Sequence, residues 1–142
     1  MSSFDNIIGV AGSAINAQLT RLNATASNLA NAGTVATTEQ DAFRAKRPVF
    51  KALMDSQMTN NGAPYVGGVK IDRMADDTAP PRRVSDPNNP LADKDGYVYQ
   101  TNVSEVTEMV EMMAAARSYQ NNVEVINTAR QLMMRTLDIS KA

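Results

Sequence analysis

Residues 103–139 read VSEVTEMVEMMAAARSYQNNVEVINTARQLMMRTLDI, with neither proline nor glycine. Within it Met109, Met112, Ala116, Tyr119, Val123, Ile126, Arg130, Met133 and Leu137 follow one another in alternating steps of three and four. All are apolar except Arg130, and such spacing is the 3.5-residue seam of a coiled coil. Arg130 either pairs with an acidic residue of a neighbour or snorkels, packing its stem and keeping its charge in water. Asn102 with Glu105 resembles a capping box, asparagine standing where serine or threonine is usual. Glu105, Glu108 and Glu111 crowd the start of the helix as a solvated acidic face, and Arg130, Arg135 and Lys141 lie toward its end, a polarity that suits the helix dipole. At 1.5 Å per residue the helix is about 55 Å long.

The same signature stands at the other end of the chain. From Phe4 to Ala32 there is no proline, and Ile8, Gly12, Ile15, Leu19, Leu22, Ala26 and Leu29 recur in steps of four and three. Gly12 and Ala26 offer small side chains where helices approach closely. Gly33 is placed to stop the helix, because glycine accepts positive φ. Residues 34–101 differ in kind. All six prolines and five of the seven glycines fall between Gly33 and Gly96. Short β-prone runs stand between turns: residues 44–53, interrupted at Pro48; residues 68–72, with Val69 and Ile71 alternating; and residues 97–99 after the turn at Asp95-Gly96. Asn60-Asn61-Gly62 reads as a loop tip. The expected fold is therefore mainly α with a small β-containing middle: helix 1–33, a partly β outer segment 34–101, and helix 102–142, the two helices forming a coiled coil.

A stripe at helical spacing ordinarily marks one face of a globular core. Here the middle segment is short and poor in large apolar residues, so the helices must cover each other, within one chain or between chains. Pairing within one chain buries one seam per helix and leaves Val106, Val110, Met113 and Met134 partly exposed. A lone helix is marginal in water, so the ends are expected to be loosely structured in the monomer and to order on assembly.

Composition narrows the function. In 142 residues, Lys+Arg 14 against Asp+Glu 15 leaves a net charge of -1. That balance argues against a nucleic-acid binder or a polybasic membrane-surface protein. Cysteine and histidine are both absent, which removes disulfides, thiolate metal sites and the commonest general base. No apolar run is long enough to insert in a membrane. The N-terminus shows no basic n-region followed by an apolar run, so the expectation is a cytoplasmic chain or one exported without a cleaved signal peptide.

No catalytic, cofactor or metal site emerges. Asp93-Lys94-Asp95-Gly96 places glycine too early for an EF-hand, and its twelfth position is Ser104. Gly67-Gly68-Val69-Lys70 lacks the rest of a phosphate loop and reads as a turn into a strand. Glu105, Glu108 and Glu111 have no Glu-x-x-His partner helix for a di-metal site. Arg82-Arg83 is too short for a basic patch. The chain reads as a non-enzyme.

Ala26-Ser27-Asn28-Leu29-Ala30-Asn31-Ala32 resembles the signature that closes the N-terminal helix of bacterial flagellar rod and hook proteins. Phe43-Arg44-Ala45-Lys46, Val49-Phe50, Gly67-Gly68-Val69-Lys70, the run from Asp86 to Asp93 and Gly96-Tyr97-Val98 resemble the proximal-rod branch of that family. The helix from Glu108 through Thr128 resembles its C-terminal signature. Where many rod and hook proteins continue Asn-Thr-Pro-Gly-Tyr, this chain has Ala32-Gly33-Thr34-Val35-Ala36-Thr37, which fits the proximal branch better than the distal rod or hook.

The resemblance implies a structural subunit of the periplasm-spanning basal-body rod, a hollow drive shaft for motility. Its partners would be itself and related rod proteins, the membrane ring and rod-adaptor proteins, and the flagellar type III export apparatus. No cofactor, nucleic acid or membrane insertion is implied. The helix seams are the expected assembly interface: Ile8, Ile15, Leu19, Leu22 and Leu29, with Met109, Met112, Ala116, Tyr119, Val123, Ile126, Met133 and Leu137. Asn28 and Asn31 either hydrogen-bond across helices or cap the first helix. The competing reading is a soluble coiled-coil adaptor or export chaperone.

Overall fold

A computed structural model of the chain describes residues 2–53, 58–60, 63–65 and 67–141. Two helices bracket seven short strands: α1 (Ser2–Ala30), β1 (Val35–Ala36), β2 (Lys46–Ala52), β3 (Met58–Asn60), β4 (Ala63–Tyr65), β5 (Val69–Asp76), β6 (Arg82–Ser85), β7 (Tyr97–Gln100) and α2 (Glu105–Lys141). The class is that expected, mainly α with small antiparallel sheets in the middle. The chain divides into two compact units, each drawing on both helices. One comprises residues 1–20, 49–73 and 114–142, the other residues 21–48 and 74–113.

α1 ends without the expected glycine stop. Asn31 N–H donates to the carbonyls of Ser27 (3.2 Å) and Asn28 (3.1 Å), and Ala32 N–H to Leu29 (3.2 Å). The bonds to Asn28 and Leu29 span three residues, and such bonds tighten a last turn and satisfy its carbonyls. Gly33 is not among the glycines with positive φ, which are Gly67, Gly68 and Gly96. α2 also starts differently from the expected capping box. Ser104 immediately precedes it, and Glu108 N–H bonds the Ser104 carbonyl at 2.9 Å. Asn102 is occupied elsewhere: its Oδ1 accepts from Ala45 N–H (2.8 Å) and its Nδ2 donates to the Ala79 carbonyl (2.7 Å).

The unit of residues 1–20, 49–73 and 114–142 is built on small side chains. Among the described residues, Gly9, Ala11, Ser13 and Ala17 of α1 and Ala115 and Ala129 of α2 are its buried ones. Ala favours the helix and lets neighbouring backbones come close. Ser13 ties the outer segment down, since its hydroxyl donates to the Val10 carbonyl (2.7 Å) and accepts from Val69 N–H (3.1 Å). The turn at Gly67 (φ 89°) and Gly68 (φ 120°) feeds β5, as expected. β3 and β4 pair with Asn60 opposite Ala63; Asn61 and Gly62 of the expected loop tip lie outside the described residues.

In the other unit β7 is the centre of a three-stranded sheet in the order β1-β7-β6. Val84 stands opposite Val98, and Val35 opposite Gln100. Val98 and Val103 are buried here with Ala24, Ala42 and Ala45. β6 was not foreseen, because Arg82-Arg83-Val84-Ser85 carries one large apolar residue and no alternation. Its Arg83 stacks over the Tyr97 ring, 3.8 Å from the centroid, a cation–π contact. The turn before β7 is held by Asp93. Its Oδ1 accepts from the N–H groups of Asp95 and Tyr97, both at 2.9 Å. That agrees with a turn in place of a calcium loop.

β2 pairs with β5 and runs straight through Pro48, where the sequence had suggested a break. A strand paired on one side leaves alternate N–H groups outside the ladder, so a missing one is tolerated. Leu53 N–H to the Gly68 carbonyl (2.9 Å) and Asp77 N–H to the Ala45 carbonyl (2.8 Å) continue the pairing at its two ends, which makes the strands antiparallel.

Candidate assembly interface

Asn28 and Glu108 are the largest polar side chains with no exposed surface, each at 0%. Asn28 Oδ1 accepts from Lys46 N–H at 2.7 Å, and its Nδ2 donates to the Lys46 carbonyl at 3.0 Å. The side-chain amide thus pairs with the Lys46 backbone as a neighbouring strand would. The same Nδ2 donates to Glu108 Oε2 at 2.9 Å. The other carboxylate oxygen lies 2.7 Å from Arg47 Nη1. That contact is an ion pair without the directionality of a hydrogen bond. Arg47 Nε also reaches Asp77 Oδ2 at 3.4 Å. Arg21 of α1 and Glu111 of α2 form a second ion pair.

Glu108 and Glu111 are therefore not part of a solvated acidic face. Glu108 is fully buried and Glu111 half-buried, each matched to a cation. A buried carboxylate needs a countercharge and hydrogen bonding to be tolerable; Arg47 supplies the countercharge and Asn28 a hydrogen bond to one oxygen. The two readings for the asparagines divide between them. Asn28 bonds across helices, whereas Asn31 Nδ2 donates to the Ser27 carbonyl (2.8 Å) and closes its own helix.

The seam residues read from the sequence lie at intermediate depth. On α1, Ile8, Ile15, Leu22 and Leu29 are half-buried and Leu19 is exposed. On α2, Met112, Ala116, Tyr119, Val123, Ile126 and Met133 are half-buried, and Met109 and Leu137 exposed. The fully buried α2 residues are Glu108, Ala115 and Ala129, and steps of four and three place Met112, Tyr119, Ile126 and Met133 between and beyond them. The other sequence column, Met109, Ala116, Val123, Arg130 and Leu137, stands one residue further round the helix. Hydrophobicity selects large side chains, and so it passed over a column made of alanine and glutamate.

Large apolar side chains remain in water along α2. Val106 is 73% exposed and Met113 63%, with Val110 beside them. Further on, Met134, Leu137 and Ile139 are exposed as well. In the unit of residues 1–20, 49–73 and 114–142, Ile7, Val10, Ala11, Ala14, Asn122 and Val125 line an apolar groove of ≈ 270 Å³ between α1 and α2. Among the described residues no group of three or more Asp or Glu side chains is placed to hold a metal. No described helix is long and apolar enough to cross a membrane.

Two family models match the helical ends: "Flagella basal body rod protein" over residues 8–35, and "Flagellar basal body rod FlgEFG protein C-terminal" over residues 94–139. Curated relatives match almost the whole chain. The flagellar basal-body rod protein FlgC of Yersinia enterocolitica is 47% identical over 137 residues, covering 96% of this chain and 97% of that protein. Its namesakes from Escherichia coli O157:H7 and Salmonella typhimurium are 46% and 45% identical over 138 residues, with the same coverage.

Proposed function

The chain belongs to the flagellar basal-body rod proteins of the FlgC type, and on that premise we propose that its two terminal helices are the surfaces by which it builds the rod. It is a structural subunit of the flagellar basal body, serving motility. In the proposed mechanism, α1 and α2 of one copy pack against those of neighbouring copies and related rod proteins through coiled-coil seams. The carrying observation is the row of large apolar residues left in water on α2, Val106, Val110 and Met113 foremost. Burying such residues contributes ~1.5–3 kcal/mol each, and a neighbouring subunit removes them from water. The seam residues Ile15, Leu22, Leu29, Met112, Tyr119, Val123, Ile126 and Met133 are assigned to the same work, as half-buried positions that a second layer of helices covers.

The role is one of assembly, with no catalytic step. Its finer partners are the membrane ring, rod-adaptor proteins and the type III export apparatus, and export proceeds without a cleaved signal peptide. The reading as a soluble adaptor or export chaperone is not favoured, since the relatives that match the full length are rod proteins.

Ile126→Asp tests the seam. A carboxylate in a dry helix contact is costly, so rods should be absent and motility lost while strands β1, β6 and β7 keep their fold. The checks are electron microscopy of basal bodies, a swimming assay, and amide signals from residues 74–100. Normal rods in this variant would refute the seam assignment.

A further inference from the structure

We infer that Glu108 is a positioning residue: held by Asn28 and Arg47, it sets the longitudinal register of α1 against α2 in the unit of residues 21–48 and 74–113. Both contacts are short, and the one to Asn28 is a directional hydrogen bond. Asn28 Nδ2 stands 2.9 Å from one carboxylate oxygen and Arg47 Nη1 2.7 Å from the other. Neither Asn28 nor Glu108 touches water. The apolar part of the same contact discriminates poorly. On α1 the buried neighbours are Ala24 and Thr25, and the Thr25 hydroxyl is spent on the Leu22 carbonyl at 2.9 Å. A methyl group packs about as well one turn up or down, because apolar contact has no direction.

A slip of one turn has a specific consequence. It moves α1 by about four residues and puts Ala24 where Asn28 stood. Ala24 has no donor, so Glu108 would keep its burial and lose the Nδ2–H. Lys46 would at once lose both backbone bonds to Asn28. A buried acceptor stripped of its donor costs more than an apolar mismatch of the same size. The polar contact therefore selects one register from several that the small side chains permit. A buried polar group fixing helix register is a recognised use of such groups. The network also reaches beyond the helices: through Lys46 and Arg47 it anchors the start of β2, and through Arg47 the Asp77 carboxylate. The consequence for assembly rests on the rod reading: a chain locked at this register presents Val106, Val110 and Met113 at one height to its neighbour.

The chain has no cysteine, so two introduced thiols carry spin labels without interference. Ala30→Cys on α1 and Val110→Cys on α2 are both exposed. Dipolar spin resonance on the full-length chain, dilute and monomeric, should give one narrow distance. Glu108→Gln keeps an acceptor for Asn28 and should keep that distance. Glu108→Met is apolar and of similar size; it should remain helical by circular dichroism while a second population appears, displaced by roughly one turn, about 5 Å. Asn28→Leu breaks the contact from the other side, should give the same second population, and decides the matter if Glu108→Met loses its helical signal. A single unchanged distance in the apolar variants overturns the inference, and so does a broad distribution in the unsubstituted background. Failure of the rod reading looks different: the unsubstituted chain would be missing from basal bodies while the distances still behaved as described.

Discussion

At the scale of single residues, the positions that matter most are small or polar. Gly96 is one. Its φ is 78°, and a Cβ there would come within 3.1 Å of Pro87 Cβ. An L side chain held in the left-handed region costs roughly 1–2 kcal/mol, and the contact adds to that. Gly96→Ala should destabilise the chain by about 1–2 kcal/mol, read as a lower urea midpoint with unchanged slope. An unchanged midpoint would mean that the turn before β7 rearranges freely. Asn28 matters for another reason. One amide serves both backbone groups of Lys46 and a buried carboxylate, because its carbonyl accepts while its NH2 offers two donors.

At the scale of elements, the helices differ in support along their lengths. Residues 21–30 of α1 and 105–113 of α2 are held by the Asn28–Glu108 contact and the Arg21–Glu111 pair. In residues 2–20 and 114–141 the buried contacts are mostly alanine, which leaves little apolar area to bury. The loosening expected for the free chain should therefore concentrate there. Amide exchange on dilute protein should be fast in residues 4–20 and 114–138 and slow in β6, β7 and residues 21–30 and 105–113. Uniform strong protection along both helices would show a fold complete without neighbours.

At the scale of the whole molecule, exposed apolar surface and self-association are linked. A 15.3 kDa chain that leaves Val106, Met113, Met134 and Ile139 in water has reason to associate only where many copies are supplied together. Sedimentation at low concentration should give the monomer mass. A stable dimer or tetramer under those conditions would mean that the helices close on one another in a finite oligomer, as an adaptor would.

The sequence by itself determined the helical ends, the β-bearing middle, the lack of cysteine and histidine chemistry, and the family. Periodicity, proline placement and motif order are properties of the chain read locally, and they survive without coordinates. It also set Met112, Tyr119, Ile126 and Met133 in one seam with Met109, Ala116, Val123, Arg130 and Leu137 by their spacing. Other features lay beyond it. Pro48 could continue a strand because, among the described residues, β2 pairs with the single strand β5. Asn102 left the helix cap for the backbone of Ala45 and Ala79. Glu108 looked like a solvated charge until Asn28 and Arg47 were beside it. Each of these depends on which distant residue arrives as a partner. Hydrogen bonds and ion pairs are decided by partners across the fold, whereas apolar periodicity is written along the chain.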